Sequence, residues 1–198
     1  MSKTTSHALT RCQWATTNPD YFHYHDQEWG VPVHNDRIHF EHLVLDGFQA
    51  GLSWLTILRK RDNFSKAFDS FDYEKIARYD ATKIDELLNN PGIVRNKLKI
   101  KAAINNAKNF IKIQEEFGSF DQYIWGFVDG ETVQNNFESW QDVPATTPLS
   151  DGISKDLKKR GFSFVGSTII YAYMQAAGLV NDHSRDCFRY DQLFVKNK

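Results

Sequence analysis

Residues 82–118 read TKIDELLNNPGIVRNKLKIKAAINNAKNFIKIQEEFG and carry the clearest structural signal in the chain. Apolar residues recur at helical spacing in the first part, and the same spacing resumes near Val94 and continues to about Phe117. Pro91 and Gly92 separate the two parts, and such a pair ends helices and forms tight turns. The stretch is therefore predicted to form two helices joined by a short turn.

The second helix of this pair is strongly basic, because the stretch 91–113 contains six lysine and arginine residues and no carboxylate. A tight turn at a helix N-terminus exposes N–H groups that suit a phosphate, and nearby cations add charge without reading sequence. The predicted contacts to a DNA backbone are Gly92, Arg95, Lys97 and Lys99. An ordinary pair of antiparallel helices is the alternative, since Val94 stands where the best-known hairpin pattern has its second glycine.

The remainder of the chain continues this helical pattern without a run of alternating strand residues, which predicts an all-α fold. Residues 11–188 are expected to form one unit, with the hairpin at about 82–117, between a flexible N-terminal tail at 1–10 and a C-terminal tail at 189–198. A net charge of −1 excludes an argument from global charge, so any nucleic-acid contact depends on local clusters. No apolar run reaches membrane-spanning length and the N-terminus lacks a signal-peptide core, which predicts a cytoplasmic protein.

The chain has only two cysteines, and each has a histidine at metal-ligand spacing. Cys12 precedes His25 near one end, and His183 precedes Cys187 near the other. Two thiolates and two imidazoles fill the tetrahedral shell of Zn²⁺ and leave no position for a catalytic water, so such a site is structural, with one ion per chain. Chance spacing is one alternative, and a disulfide between the two cysteines, which needs an oxidising compartment, is another.

The first predicted helix starts at Asn18-Pro19-Asp20 and carries an unusual group of side chains on one face. Tyr21, Tyr24, His25 and Glu28 recur there at three- and four-residue spacing. Two tyrosines, a candidate ligand and a carboxylate are unusual for a face that only packs against a core.

Five blocks together resemble a known family. They are RCQW at 11–14, YHDQEWGVP at 24–32, QAGLSW at 49–54, LKKRGF at 157–162 and MQAAGLVNDH at 174–183. In content, order and separation they resemble bacterial 3-methyladenine DNA glycosylase I, a constitutive alkylation-repair enzyme of the helix-hairpin-helix superfamily. The resemblance extends from about residue 11 to residue 188.

The resemblance implies an all-α fold with its active site in a cleft between two helical parts, and a zinc ion that ties the termini together. The family's zinc ligands fall on Cys12, His25, His183 and Cys187. Its base-sandwiching positions fall on Tyr21, Tyr24 and Trp54, with Trp14 and Trp29 as further pocket wall. Where the family has a base-recognising glutamate, this chain has the shorter Asp46.

The resemblance also implies an activity, which is hydrolysis of the N-glycosidic bond of 3-methyladenine in alkylated double-stranded DNA. The product is free 3-methyladenine, and a monofunctional enzyme of this kind leaves the DNA strand uncut. No membrane and no partner subunit are needed, so a monomer is expected. The alternative is a non-catalytic protein that senses lesions or binds DNA, because Asp46 replaces the glutamate.

Overall fold

The structure is a computed structural model, and it describes residues 9–193. Its α-helices are α1 (Phe22–Gln27), α2 (Asp36–Gln49), α3 (Trp54–Leu58), α4 (Arg61–Ala67), α5 (Tyr73–Ile76), α6 (Ala81–Asn89), α7 (Lys97–Phe117), α8 (Phe120–Trp125), α9 (Pro148–Lys159), α10 (Ser167–Ala176) and α11 (Phe188–Gln192). One unpredicted feature is a parallel pair of two-residue strands, β1 (Val133–Gln134) and β2 (Val180–Asn181). The predicted helical fold class is confirmed, and strands this short leave no alternation in the sequence.

Side-chain caps fix several helix starts. Asn35 and Ser53 accept hydrogen bonds from first-turn N–H groups of α2 and α3, as expected for residues of these types. Thr82 and Asp85 have the spacing of a capping box, which predicts that Thr82 caps the helix, but Thr82 lies inside α6 and does not cap it. Instead, the side chain of Asp80 accepts a hydrogen bond of 2.9 Å from the backbone N–H of Lys83 and caps α6.

The basic helix α7 begins at Lys97, three residues later than its apolar pattern indicates. The carboxamide oxygen of Asn96 accepts hydrogen bonds from the N–H groups of Leu98 and Lys99 at 3.0 and 3.1 Å. This cap sets the start, since a side chain that satisfies first-turn N–H groups favours a non-helical backbone at its own position.

The turn between α6 and α7 is held by packing and by one cation. A Cβ atom on Gly92 would lie 3.2 Å from the Cβ of Asn63, a tighter contact than side chains usually make, which favours glycine at this close approach. The ammonium of Lys60 donates to the carbonyls of Pro91 and Gly92 at 3.1 and 3.3 Å. Val94 packs against the main core, so the position of the missing second glycine serves as an apolar anchor.

Two groups of buried side chains organise the molecule. The main core includes a ladder of aromatic rings in which Phe110 stacks on Phe120 at 4.3 Å and meets Phe40 at 5.2 Å. A smaller group of four contains Cys12, Tyr24, Trp29 and Cys187. Trp54 of α3 packs against both groups, so the two chain ends meet beside α3.

The N-terminal segment is joined closely to the end of α10. The N–H of Gly30 donates to the carbonyl of Gln175 at 2.9 Å, and the N–H of Val33 donates to that of Ala177 at 3.0 Å. Gly178 has a φ of +72°, and a Cβ there would lie 2.5 Å from the backbone nitrogen of Pro32. Only glycine fits this crossing, because both its conformation and its closeness exclude a side chain.

The C-terminal boundary differs from the prediction. Helix α11 occupies Phe188–Gln192, so the first residues of the expected tail at 189–198 are helical, and the N–H of Phe188 donates to the carbonyl of Thr10 at 2.9 Å. Most of the expected tail at 1–10 lies outside the described residues. Between residues 9 and 193, no helix has the length and apolar character needed to cross a lipid bilayer.

Candidate active site and metal centre

A cavity of about 270 Å³ lies where α1, α2, α3 and α10 meet. Its wall consists of Trp14, Tyr21, Tyr24, Trp29, Asp46, Gln49, Trp54, Trp140, Ala172 and Gln175. The structure therefore brings together all six residues that the sequence assigned to base binding, which are Trp14, Tyr21, Tyr24, Trp29, Asp46 and Trp54. They come from two stretches of the chain, 14–29 and 46–54.

The aromatic wall is a connected set of rings. Tyr24 lies 5.1 Å from Trp54 between ring centroids, and Trp14 lies 5.4 Å from Tyr21 and 5.0 Å from Trp29. The two Trp14 pairs are edge-on, an arrangement that aromatic quadrupoles favour. The rings therefore support one another and hold their faces and edges around the cavity.

Asp46 is the carboxylate of this wall. It is buried, and its Oδ2 atom has no hydrogen-bond partner among the described residues. Burial raises the pKa of Asp46 well above its usual range. The neighbouring carboxylates Glu28 and Glu41 both pair with Arg61, so neither is available for the same task.

Two further polar atoms on the cavity wall lack partners. The indole N–H groups of Trp14 and Trp54 are buried without a hydrogen-bond acceptor among the described residues. Unpaired buried polar groups are uncommon because each costs free energy. Trp14, Trp54 and Asp46 all line the cavity, so these three unpaired polar atoms belong to residues of its wall.

The predicted metal ligands form one buried cluster. The ligand atoms of Cys12, His25, His183 and Cys187 all lie within 4.8 Å of one another. Nδ1 of His183 is 3.4 Å from both sulfurs, and Nε2 of His25 is 3.5 Å from the sulfur of Cys187. Tetrahedral Zn²⁺ with its usual bond lengths has sulfur–nitrogen edges of about 3.5 Å, so the residues fit the ion. Both cysteines are free, which does not agree with the disulfide alternative.

The histidines of the cluster are oriented by outer partners. Nδ1 of His25 lies 2.8 Å from the carboxylate of Asp26, which Arg11 holds through bonds of 2.7 to 3.1 Å. Nε2 of His183 donates to the carbonyl of Trp29 at 3.0 Å. Such partners fix the tautomer and ring direction of a metal ligand. They also connect the cluster directly to the cavity wall.

The structure corrects one predicted DNA contact. Arg95 and Lys97 are exposed, but Lys99 is 7% exposed and its ammonium donates to the carbonyls of Phe48 and Ala50 at 2.8 and 2.6 Å. Lys99 therefore binds the end of α2 and is not placed to contact a phosphate. Its position follows from the phase of α7, in which Lys99 and Ile100 face the core.

Four residues of the wall, Gln49, Trp140, Ala172 and Gln175, were not among the predicted site residues. Gln49 follows Asp46 on α2, and Gln175 of α10 donates to Asp182 at 2.7 Å. Trp140 comes from the irregular stretch 129–144, which has no periodicity from which to place it. Gln49 and Gln175 lie within two of the five sequence blocks quoted above. Their polar side chains are the feature that could have suggested a role in the site.

Comparison with known proteins identifies a family that this chain matches over most of its length. A family model described as methyladenine glycosylase matches residues 14–190. The DNA-3-methyladenine glycosylase of Haemophilus influenzae is 43% identical over 178 residues, which are 90% of this chain and 96% of that protein.

Solved structures agree in fold. A crystal structure of a 3-methyladenine DNA glycosylase I matches with a TM-score of 0.87 and 46% identity, covering 90% of this chain and 98% of that one. A variant of a 3-methyladenine DNA glycosylase I in complex with 3-methyladenine matches with a TM-score of 0.87 and 36% identity, covering 90% and 96%.

Fold and cavity thus define a helical protein of the DNA glycosylase class. Within that class, the chain belongs to the methyladenine glycosylase family, as both the family model and the sequence identity over nearly its full length establish.

Proposed function

We propose that this protein releases 3-methyladenine from alkylated double-stranded DNA by hydrolysing the bond between the base and its deoxyribose. Family membership supports the reaction class. The observation that carries the proposal for this chain is the set of three unpartnered polar atoms on Trp14, Asp46 and Trp54, three residues that line one aromatic cavity. A flipped purine has ring faces that can stack on the aromatic side chains and a polar edge that can form hydrogen bonds with the unpartnered atoms.

The charge of the lesion explains the chemistry of the wall. A 3-methyladenine that is still attached to its sugar carries a positive charge, which aromatic faces and a carboxylate both attract. When Asp46 is ionised, its carboxylate can accept hydrogen bonds but cannot donate them, and the amino group of the base is a donor. A bound cation also lowers the pKa that burial raises, so substrate favours the ionised form of Asp46.

Bond cleavage needs no protonation of the base by the enzyme. The bonding electron pair moves to the base and neutralises it, while the oxygen of a water molecule forms a bond to the sugar carbon and loses a proton. The products are neutral 3-methyladenine, an abasic site and one proton. The protein's contribution is to extrude, orient and surround the base.

Asp46 is one methylene shorter than the family's glutamate. The carboxylate lies on the cavity wall despite this, and Tyr24, whose pKa burial and the charge of Asp46 raise, stays a neutral neighbour. This placement supports catalysis over the alternative of a protein that only senses lesions.

The cluster of Cys12, His25, His183 and Cys187 is proposed to hold one structural Zn²⁺. When bound, the ion supplies a rigid four-way link and no reactive position, because all four sites are protein ligands. The chain's own residues then carry that rigidity to the cavity: Trp14 follows Cys12 by two residues, and Trp29 accepts a hydrogen bond from His183.

Contact with DNA is proposed at the turn before α7, through Gly92, Arg95 and Lys97. The exposure of the two basic side chains supports this assignment. Leu52, which is 42% exposed and follows the end of α2, is a candidate to fill the gap that the extruded base leaves. A monomer is proposed because the family resemblance requires no partner subunit.

Base release without strand cleavage is part of the proposal. Strand-cutting glycosylases use an amine nucleophile that forms a Schiff base with the sugar. Among the cavity residues in the described part of the chain there is no lysine. Efficient cleavage of the abasic product, with a protein–DNA adduct trapped by borohydride, would contradict this point.

The test is to incubate the purified protein with methylated duplex and measure released 3-methyladenine by chromatography. The parent protein is expected to release the base, and Asp46→Asn is expected to lower kcat/KM by about 10- to 100-fold through loss of a charged hydrogen bond. Asp46→Glu restores the family's side chain and should retain activity. Tight binding without release by the parent protein would support the sensor instead.

A further inference from the structure

Trp140 is an exposed aromatic residue on the wall of the cavity. Its side chain is 39% exposed, and its ring lies 6.2 Å from Trp14 and 6.3 Å from Trp29 between centroids. Trp29 is only 5% exposed, so Trp140 is the outer member of a group of three tryptophans. Single exposed apolar residues are common, but this one borders a cavity that has unpartnered polar atoms.

The turn that carries Trp140 is fixed beside Trp14. The backbone N–H and the hydroxyl of Ser139 both donate to the carboxylate of Asp142 at 2.9 Å, which closes the turn around Trp140. The carboxamide of Gln141 donates to that of Gln13 at 2.9 Å, one residue before Trp14.

The preceding part of the same loop is attached to the C-terminal segment. The N–H of Arg185 donates to the carbonyl of Phe137 at 3.1 Å, and the carboxamide of Asn135 donates to Asp182 at 2.6 Å. These bonds hold the loop next to the metal cluster. Trp140 is therefore placed by the fold and does not depend on a ligand for its position.

We infer that Trp140 is a substrate-binding residue whose indole ring covers the flipped base from the outer side of the cavity. This inference rests on the proposed function and adds a specificity determinant to it. Indole has the strongest attraction for a cation among aromatic side chains, and the attraction grows when water is excluded. An exposed ring at the mouth gains both contact and desolvation when a base enters.

The strength of the contact between Trp140 and the base depends on the charge of the base. The base is cationic while it is bonded to the sugar and neutral after release. Trp140 therefore favours substrate over product and contributes to capture more than to bond cleavage. Its loss should raise KM and leave kcat nearly unchanged, because an interaction formed equally in ground and transition states is uniform binding.

The experiment compares Trp140→Ala, Trp140→Leu and Trp140→Phe with the parent protein on methylated duplex. Trp140→Ala and Trp140→Leu are expected to raise KM about three- to tenfold, with kcat within about twofold, while Trp140→Phe retains part of the effect. Leucine fills space against Trp14 and Trp29 without an aromatic face. A merely structural role thus predicts parent-like behaviour for Trp140→Leu, and that outcome would overturn the inference.

Phe117→Ala is the matched control. Phe117 is 38% exposed, ends α7 and contacts Arg160 and Tyr123 outside the cavity. Its loss should leave KM unchanged. A rise in KM for Phe117→Ala equal to that for Trp140→Ala would mean that any exposed aromatic has the effect, which overturns the assignment to Trp140.

A second measurement separates this inference from the proposed function. Release of 3-methyladenine by the parent protein tests the proposed function. The ratio of the KM values of Trp140→Ala and the parent protein tests the role of Trp140. Binding of free 3-methyladenine, measured by calorimetry, needs no catalysis and keeps the stacking contact without the charge, so Trp140→Ala should weaken it about twofold, which is less than the rise in KM. A loss of affinity for this neutral base that equals or exceeds the rise in KM would overturn the preference of Trp140 for the cationic substrate.

Discussion

Asp46, which is proposed to bind the base, occupies a position that costs the folded protein stability. Its carboxylate is buried without a partner on an aromatic wall, and burial raises its pKa. In the unfolded chain the same group titrates near its ordinary value. Between these two pKa values the folded protein holds one more proton than the unfolded protein, so the free energy of unfolding falls as pH rises.

Asp46→Asn is therefore expected to stabilise the protein, and to do so more at high pH than at low pH. The gain should be about 1 kcal/mol near neutral pH, in the range found when a functional site is relieved of strain, and it should shrink towards about pH 4. Urea unfolding of parent and variant across this range measures it. A gain that does not depend on pH would show that ionisation of Asp46 is not its source.

At the scale of single residues, the sequence predicts some members of the site and misses others. Tyr24 and Trp54 lie in sequence blocks that resemble a known family in content and order, so both could be assigned to the site from the sequence. Trp140 lies in an irregular stretch, where the contact to Trp14 depends on a loop whose path no periodicity describes. Lys97 and Lys99 have the same chemistry, and only the phase of a packed helix separates the exposed one from the buried one.

At the scale of elements, the basic helix α7 has two functions along its first turn. Lys99 points inward and caps the end of α2 through two carbonyls, and burial lowers its pKa. Lys97 points outward and is free to meet a phosphate. The end of α2 is thus fixed to the helix that is proposed to meet DNA.

Replacing each lysine with methionine should separate these functions. Lys99→Met removes donors from two carbonyls and is expected to cost about 1–3 kcal/mol of unfolding free energy. Lys97→Met should change stability by less than about 0.5 kcal/mol but reduce by about one the slope of log affinity for duplex DNA against log salt. Urea unfolding and salt-dependent DNA titrations measure the two effects. The same reduced slope in Lys99→Met would contradict the inward position.

Helix starts were easier to predict than helix interruptions. Asn35 and Ser53 cap helices as their side-chain chemistry indicates. The sequence pattern predicts one helix from Trp54 towards Phe64 or beyond, but the structure divides it into α3 and α4 around Arg59 and Lys60. Neither glycine nor proline marks that point, and Ile57 and Phe64 are both buried on either side of it. The break is set by packing, which local sequence does not record.

For the molecule as a whole, the metal cluster connects stability to the site. Its ligands adjoin cavity residues, and the ring of Trp29 lies 4.7 Å from that of His183. Closing a link between distant chain positions restricts the unfolded ensemble. A bound ion should therefore stabilise the fold and the aromatic wall together.

Removal of zinc with a chelator is expected to lower the thermal midpoint and to weaken binding of 3-methyladenine. The loss should be about 4 kcal/mol when free zinc is about a thousandfold above its Kd. His25→Ala should abolish the zinc content measured by mass spectrometry. His23→Ala is the matched control, because that side chain lies on the same helix and is 82% exposed. Full zinc content in His25→Ala would contradict the assigned ligand set.

The same cluster has a consequence for biosynthesis. Cys12 and His183 are separated by 171 positions, so the ribosome completes all of α1 to α10 before it reaches His183. The nascent chain can therefore bury its phenylalanine-rich interior before all four candidate ligands are present. A chain that terminates before residue 183 lacks two of these ligands and cannot form the proposed link between its two ends.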